Sequence, residues 1–262
     1  MSNDIWRQYK VNEGPPPVHL VLGTLHVWIQ NKNEEVWIAH QYGEQALEQI
    51  SKESAPPESL SWSRWAYDPD VDKLNVSPVF PDLPIVISSE YPLTIPPGAR
   101  IQIFTRIPIW LRIGSAKSSY MLKEIPSVQL SKTWFGTPVE GELCYWSPTK
   151  ARRSLEGVEP RDYYVNCPIW ITNKGAMDLN FERFCLRVER LGIYRYQQEL
   201  WAGETKIVHH GEDSDSDIIM TGKLPPNLGK AELLSKARNP IHTSLATRTF
   251  KRLFDDTFIT AR

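Results

Sequence analysis

An acidic loop near the C-terminal end of the chain carries the residue types best suited to chemistry. It reads HHGEDSDSD, and Asp213, Asp215 and Asp217 alternate within it. Carboxylates at every second position could supply oxygen ligands to Ca²⁺, which takes about six to eight of them. An EF-hand would need glycine at Ile218 and glutamate at Leu224, so that pattern fails. We interpret the loop as a charged hairpin tip, with calcium at these three aspartates as the alternative.

The histidines that begin this loop are the other candidates for chemistry. His209 and His210 are adjacent, and successive side chains of a strand leave opposite faces, so the two would not share one ion. Either could serve as a base beside the loop carboxylates in a hydrolase. The chain contains no G-x-S-x-G sequence, no P-loop and no dinucleotide-binding motif. We therefore expect a protein without catalytic activity, and keep a hydrolase with an unrecognised site as an alternative.

The elements that position these groups are expected to be strands. The 21 prolines punctuate the sequence and oppose long helices, and the 10 tryptophans must lie mostly in cores or interfaces. Between Tyr163 and Tyr196 the pattern predicts two strands joined by a polar turn, with apolar side chains alternating in the second. The alternation changes parity near Glu189-Arg190, which predicts a β-bulge or a short bend there.

This pattern predicts an all-β protein, an antiparallel β-sandwich with two sandwich-like halves and a short C-terminal helix. The first half comprises residues 1–120, including a Pro-rich excursion at 54–84. The second comprises 121–262, and the apolar stripe over 244–258 predicts the helix. A single large sandwich remains the competing interpretation.

Composition excludes several classes of function. Lys and Arg number 30 against 31 Asp and Glu, so no net positive field favours nucleic acid. The sequence shows neither a signal peptide nor a transmembrane segment. Cys144, Cys167 and Cys185 form no C-x-x-C pair, so we expect reduced thiols and no structural metal. These features predict a cytoplasmic protein, and no pattern in the chain specifies its oligomeric state.

One stretch of sequence combines aromatic and basic residues. We predict a binding surface formed by Trp134 and Phe135, on a hairpin that turns at Gly136-Thr137-Pro138, together with the basic residues Lys150, Arg152 and Arg153. Aromatic and arginine side chains contribute strongly to protein interfaces. The partner would be another protein, and the basic residues could equally meet lipid headgroups or an acidic partner.

The tryptophan-rich composition supports an alternative function. Flat indole rings exposed in a row could bind the faces of sugar rings, so a carbohydrate or other small-ligand module is the second hypothesis. Packing between sheets would explain the same tryptophans without any ligand.

Three stretches of the chain resemble an uncharacterised prokaryotic family, known as a domain of unknown function. They are WFGTPVEGELCYWSPTKARR (134–153), NCPIWITN (166–173) and the segment 181–205, which contains FERFCLRVERLGIY and LWAGET. The resemblance covers most of the chain and is strongest from about Leu130 to Thr205. Members are often encoded near small mechanosensitive channels, which implies an accessory role at a membrane channel. The resemblance assigns no functional residue.

Overall fold

Strands dominate the computed structural model of the protein. The described residues are 5–10, 16–32, 34–43, 56–66, 73–118, 120–211, 216–226, 228–239 and 249–250. Strands make up 59% of them and helix 1%, so the predicted all-β class is confirmed. In chain order the strands are β1 (Gln8–Lys10), β2 (Val18–Leu22), β3 (Leu25–Lys32), β4 (Glu35–Tyr42), β5 (Ser63–Ala66), β6 (Lys73–Val79), β7 (Ile85–Ile95), β8 (Arg100–Pro108), β9 (Trp110–Ser115), β10 (Met121–Pro126), β11 (Lys132–Gly136), β12 (Gly141–Trp146), β13 (Tyr164–Asn173), β14 (Leu179–Leu186), β15 (Ile193–Tyr196), β16 (Glu199–Ala202), β17 (Thr205–His209), β18 (Ser216–Met220), β19 (Glu232–Ser235) and β20 (Thr249–Phe250).

The chain forms two compact units, and each is built from two separate segments. The first unit comprises Met1–Val79 and Pro108–Gln129, and the second comprises Phe80–Ile107 and Leu130–Arg262. The boundary predicted near residue 120 falls inside the second segment of the first unit.

The first unit contains two antiparallel four-stranded sheets, ordered β2-β3-β4-β5 and β1-β6-β9-β10. Their inner faces are aliphatic, with Val27 and Ile29 of β3 and Leu111 of β9 fully buried. Two polar contacts also connect the sheets. The Tyr42 hydroxyl donates to the Pro126 carbonyl at 2.8 Å, and Lys123 Nζ donates to Ser63 Oγ at 2.8 Å. This unit is therefore a sandwich of two sheets around one core.

The second unit contains a four-stranded sheet ordered β11-β12-β7-β14 and an eight-stranded sheet ordered β19-β15-β16-β13-β17-β18-β20, in which β8 also pairs with β13. Three pairs in these sheets are parallel, namely β12 with β7, β13 with β16 and β13 with β17. The fully buried Asn173 of β13 links the two sheets, because its Nδ2 donates to the Ile95 carbonyl of β7 at 2.8 Å.

The strands predicted between Tyr163 and Tyr196 exist, but they do not pair with each other. β13 lies in the eight-stranded sheet, whereas β14 pairs with β7 in the other sheet. At Glu189-Arg190 the structure has the short bend rather than the bulge, since Val188–Arg190 form a turn of 3₁₀ helix. The register of β14 shifts earlier instead, between Phe181 and Arg183.

The predicted C-terminal helix is not present where the structure describes that segment. Thr249–Phe250 form β20, which pairs with Ser216 and Asp217 of β18. The other residues of the predicted helix lie outside the described residues. No helix among the described residues has the length and hydropathy needed to cross a bilayer.

Candidate functional site

The hairpin of β11 and β12 is the most distinctive local structure of the second unit. Its strands pair from Lys132 opposite Tyr145 to Gly136 opposite Gly141, which confirms the predicted turn. Thr137 closes the turn, because its Oγ1 accepts a hydrogen bond from the Glu140 backbone N–H at 2.9 Å.

Two glycines make this hairpin possible. Gly136 has a φ of 119°, which other residues rarely adopt, and a β-carbon there would lie 2.5 Å from the Glu140 carbonyl oxygen. A β-carbon on Gly141 would lie 2.6 Å from the Phe135 carbonyl oxygen and 2.6 Å from Nε1 of Trp134. Steric contact therefore explains why glycine follows Trp134-Phe135 and why glycine separates Glu140 from Glu142.

The outer face of the hairpin is apolar and open. Trp134 lies directly opposite Leu143, and the two are 52% and 44% exposed. Val139 in the turn is 96% exposed. The indole is held in place, since Trp134 Nε1 donates to the Thr137 carbonyl at 2.8 Å. The hairpin therefore presents fixed apolar side chains to its surroundings.

The inner face of the same hairpin carries a pair of thiols. Cys144 of β12 and Cys185 of β14 are buried, and their Sγ atoms lie 3.5 Å apart. They pack in a cluster with Val86 and Phe135. Phe135 was predicted to form part of a binding surface, but it faces this interior because it follows Trp134 on the strand.

A carboxylate and a guanidinium adjoin the thiols. Glu142 Oε1 lies 3.9 Å from Cys185 Sγ and accepts a hydrogen bond from Arg187 Nη2 at 2.6 Å. Buried Glu189 is close enough for its charge to interact with both residues, and burial raises the pKa of its carboxyl group. Glu140, two residues before Glu142, lies in the exposed turn and not on the strand.

The thiol pair is poorly suited to nucleophilic chemistry by itself. The hydrogen bond with Cys144, together with burial, raises the pKa of the Cys185 thiol. The neutral thiol is a weak nucleophile compared with the thiolate. No sequence pattern indicates this pair, since the two cysteines are 41 residues apart and belong to no spacing motif.

Two of the three predicted basic residues bind neighbouring groups of the same unit. Arg152 pairs with Glu90 at 2.7 Å, and Arg153 Nη1 donates to the Gln102 carbonyl at 2.5 Å. Lys150 is exposed. No contact within the described part of the chain joins these three residues to Trp134.

The acidic loop joins two paired strands, β17 and β18. Asp213 and Asp215 lie outside the described residues. Asp217 is bound by His210, whose Nε2 lies 3.0 Å from its Oδ2, while His209 Nδ1 lies 3.3 Å from Ser216 Oγ. The two histidines contact different partners, so the described residues bring together only one carboxylate and one imidazole.

The tryptophans do not form an exposed row. Trp6, Trp28 and Trp201 are buried, and Trp134 and Trp146 are the exposed ones among the tryptophans. These two lie on opposite faces of the hairpin, because Trp146 shares the parity of Cys144 and Trp134 lies opposite Leu143. The arrangement that would bind the face of a sugar chain is not found at the described tryptophans.

A shallow open cleft lies elsewhere in the second unit, between the loop 155–160 and the ends of three strands, with room for about one water-sized group. Polar side chains line it: Arg106, Arg161, Tyr164, Asn166 and Glu199. The Arg106 guanidinium stacks 5.1 Å from the Tyr164 ring centroid, and burial lowers its pKa. Glu199 lines the same cleft, and its charge interacts favourably with the Arg106 guanidinium. The lining holds two guanidinium groups against one carboxylate, so the cleft can accept a small anion.

A histidine pair in the first unit also escaped the sequence pattern. His19 Nε2 lies 3.2 Å from His26 Nδ1, and the His19 ring stacks on Trp28 with centroids 4.7 Å apart. The pairing of β2 with β3 sets His19 directly opposite Trp28. His40 lies on the other face of the sheet from His26, because it is opposite Val27.

Comparison with known families accounts for nearly the whole chain. A family model described as "Protein of unknown function (DUF432)" matches residues 5–255. The chain belongs to this family. The match confirms the resemblance to a family of unknown function, and it includes the hairpin and both cysteines of the thiol pair. No curated protein and no solved structure shows a significant match.

Proposed function

We propose that this DUF432 protein is a protein-binding module without enzymatic activity, and that the outer face of the β11–β12 hairpin is its docking surface. The observation that carries the proposal is the pair Trp134 and Leu143, which lie opposite each other and about half exposed. Large apolar side chains grouped on a surface are typical of interaction sites.

Apolar burial favours a partner that is large enough to cover both side chains. Covering a tryptophan and a neighbouring leucine removes apolar surface from water, at about 25 cal/mol for each Å². Tryptophan is also enriched among the residues that contribute most to interface affinity. Burying Trp134 and Leu143 would therefore supply a central part of the binding free energy.

The rigidity of the hairpin supports the same function. Trp134 is fixed by its hydrogen bond to the Thr137 carbonyl and by its contact with Gly141. A side chain that is already ordered loses little conformational entropy on binding. Within the described residues β11 is also the edge strand of its sheet, so an extended segment of the partner could add beside it.

We propose a membrane channel as the partner, which is what the resemblance to a family often encoded near small mechanosensitive channels implies. We also propose that the two proteins meet in the cytoplasm. Exposed Lys150 would contribute charge at the rim of the contact, while Arg152 and Arg153 mainly hold their own segment in place.

The hairpin offers a matched pair of tryptophan variants for the test. A photo-crosslinking residue at Val139 would capture the partner in cells, and one at exposed Met177 would be the control position. We expect Trp134→Ala to abolish the Val139 adduct and Trp146→Ala to leave it, since Trp146 is exposed on the opposite face. A channel subunit in the adduct would identify the partner. Equal adducts from both variants would show that the outer face does not bind it.

The cleft beside Arg106 favours a second candidate function, binding of a small anionic ligand. Two guanidinium groups and the buried amide of Asn166 line it, and each can donate hydrogen bonds to a carboxylate or phosphate. This would make the protein a ligand-responsive module instead of a constitutive scaffold.

A further inference from the structure

We propose that Glu142, Cys144 and Cys185 form a binding site for Zn²⁺. Their ligand atoms, one carboxylate oxygen and two sulfurs, all lie within 4.8 Å of one another. The site is on the inner face of the β11–β12 hairpin, and it does not depend on the docking surface proposed for the outer face.

The distances already approach those of a tetrahedral zinc centre. Zn–S bonds of about 2.3 Å and Zn–O bonds of about 2.1 Å put two sulfurs about 3.8 Å apart, and a sulfur and an oxygen about 3.6 Å apart. The structure has 3.5 Å between the sulfurs of Cys144 and Cys185, and 3.9 Å between Cys185 Sγ and Glu142 Oε1. The third distance, between Cys144 Sγ and the Glu142 carboxylate, is within 4.8 Å, so the Glu142 side chain must move towards Cys144 by up to about 1.2 Å to complete the geometry.

Arg187 supplies the support that ligating carboxylates usually have. Its Nη2 donates to Glu142 Oε1 at 2.6 Å and so fixes the orientation of the carboxylate beside the thiols. Outer partners of this kind orient metal ligands and are often needed for full affinity. Val86 and Phe135 enclose the other side, which limits the access of water.

The charge balance also fits a divalent cation. Zinc binding releases one proton from each thiol, so the ligands become two thiolates and one carboxylate. Their three negative charges are matched by Zn²⁺ and the Arg187 guanidinium. Three protein ligands leave the fourth position of a tetrahedral ion for water.

The test uses the full-length protein, stripped of metal and kept reduced with a phosphine. Co²⁺ is titrated as a spectroscopic substitute for Zn²⁺. We expect one equivalent to bind with thiolate-to-cobalt charge-transfer absorption, and added Zn²⁺ to displace it. Cys144→Ser and Cys185→Ser should lose this absorption, and Glu142→Gln should weaken binding about 10-fold or more.

The third cysteine provides the matched control. Cys167 is buried on β13 and its thiol donates to the Val165 carbonyl, away from the cluster. Cys167→Ser should therefore bind Co²⁺ as the wild type does. If the serine variants fail to fold, X-ray absorption of the zinc-loaded wild type decides the question, since the site requires two sulfur ligands.

Three results would overturn the proposal. The first is a zinc coordination shell made of oxygen and nitrogen alone. The second is a charge-transfer band that persists in Cys144→Ser, and the third is that the reduced wild-type protein binds no cobalt. If the wild-type protein binds no cobalt but forms a Cys144–Cys185 disulfide once a peroxide is added, the two cysteines are a redox pair and not a metal site.

Discussion

The indole of Trp134 occupies the space that a side chain on Gly141 would need. A β-carbon on Gly141 would lie 2.6 Å from Nε1 of Trp134, closer than such atoms approach in proteins. The conformation of the hairpin therefore depends on Gly141, which has no side chain.

Gly141→Ala is expected to lower the free energy of unfolding by about 1–3 kcal/mol, because the added methyl group must displace the indole or the Phe135 carbonyl. Chemical denaturation measures the change. Gly229→Ala is the control, since its β-carbon would meet only Cε2 of Tyr196 at 3.7 Å. A loss at Gly141 no greater than at Gly229 would show that the hairpin adapts easily.

The ion pair of Arg187 with Glu142 should be stronger than those at the surface. The two side chains are 15% and 33% exposed, and a double-mutant cycle in metal-free protein should give a coupling of about 1.5–3 kcal/mol. The cycle for Arg195 with Glu232, whose carboxylate side chain is 60% exposed, should give about 1 kcal/mol or less. Equal couplings would mean that burial of the first pair has little energetic effect.

The histidine pair of the first unit makes stability depend on pH. Burial lowers the pKa of His19 and of His26, and the charge of His26 lowers that of His19 further. The unfolded chain then binds more protons than the folded protein. The free energy of unfolding should therefore fall as the pH drops below about 6.5, the usual histidine value, towards the lowered folded values.

Urea unfolding between about pH 5 and 8 measures this slope. His26→Gln should reduce the slope, because it removes one buried imidazole and the charge that acts on His19. His210→Gln, at an exposed site beside Asp217, provides the comparison. A slope unchanged by His26→Gln would assign the pH dependence to other groups.

The cleft beside Arg106 should bind small anions. Inorganic phosphate is expected to raise the Tm of the wild type and to have no such effect on Arg106→Gln, which lacks the guanidinium stacked on Tyr164. Arg100→Gln is a suitable control, because Arg100 stacks on Trp170 outside the cleft lining. A phosphate effect that is equal in both variants would point to general salt stabilisation.

The sequence predicted strands better than it predicted their partners. Alternation placed Cys185 and Arg187 on one face of their strand, and that face meets Glu142. It could not show that β14 pairs with β7, since pairing depends on contacts between distant parts of the chain.

A turn shifted the register of the first long hairpin. A turn at 31–34, which the polar sequence NKNE predicts, would set Ile29 opposite Val36, whereas the structure sets Ile29 opposite Ile38. The strands continue until Lys32 meets Glu35, because Glu34 adopts a φ of 59° and closes a tighter turn. A shift of two residues keeps every side chain of the hairpin on its predicted face. Val27, Ile29, Val36 and Ile38 therefore still share one buried face.

The discontinuity of the two units has a consequence for how the protein is made. Pro108–Gln129 completes the first unit, so that unit must wait for residues synthesised after β7 and β8, which belong to the second. Neither unit is therefore complete when the first hundred residues have been synthesised. For the same reason no single cut in the chain would yield two intact fragments, and expression of either unit alone would require its two segments to be rejoined by a new linker.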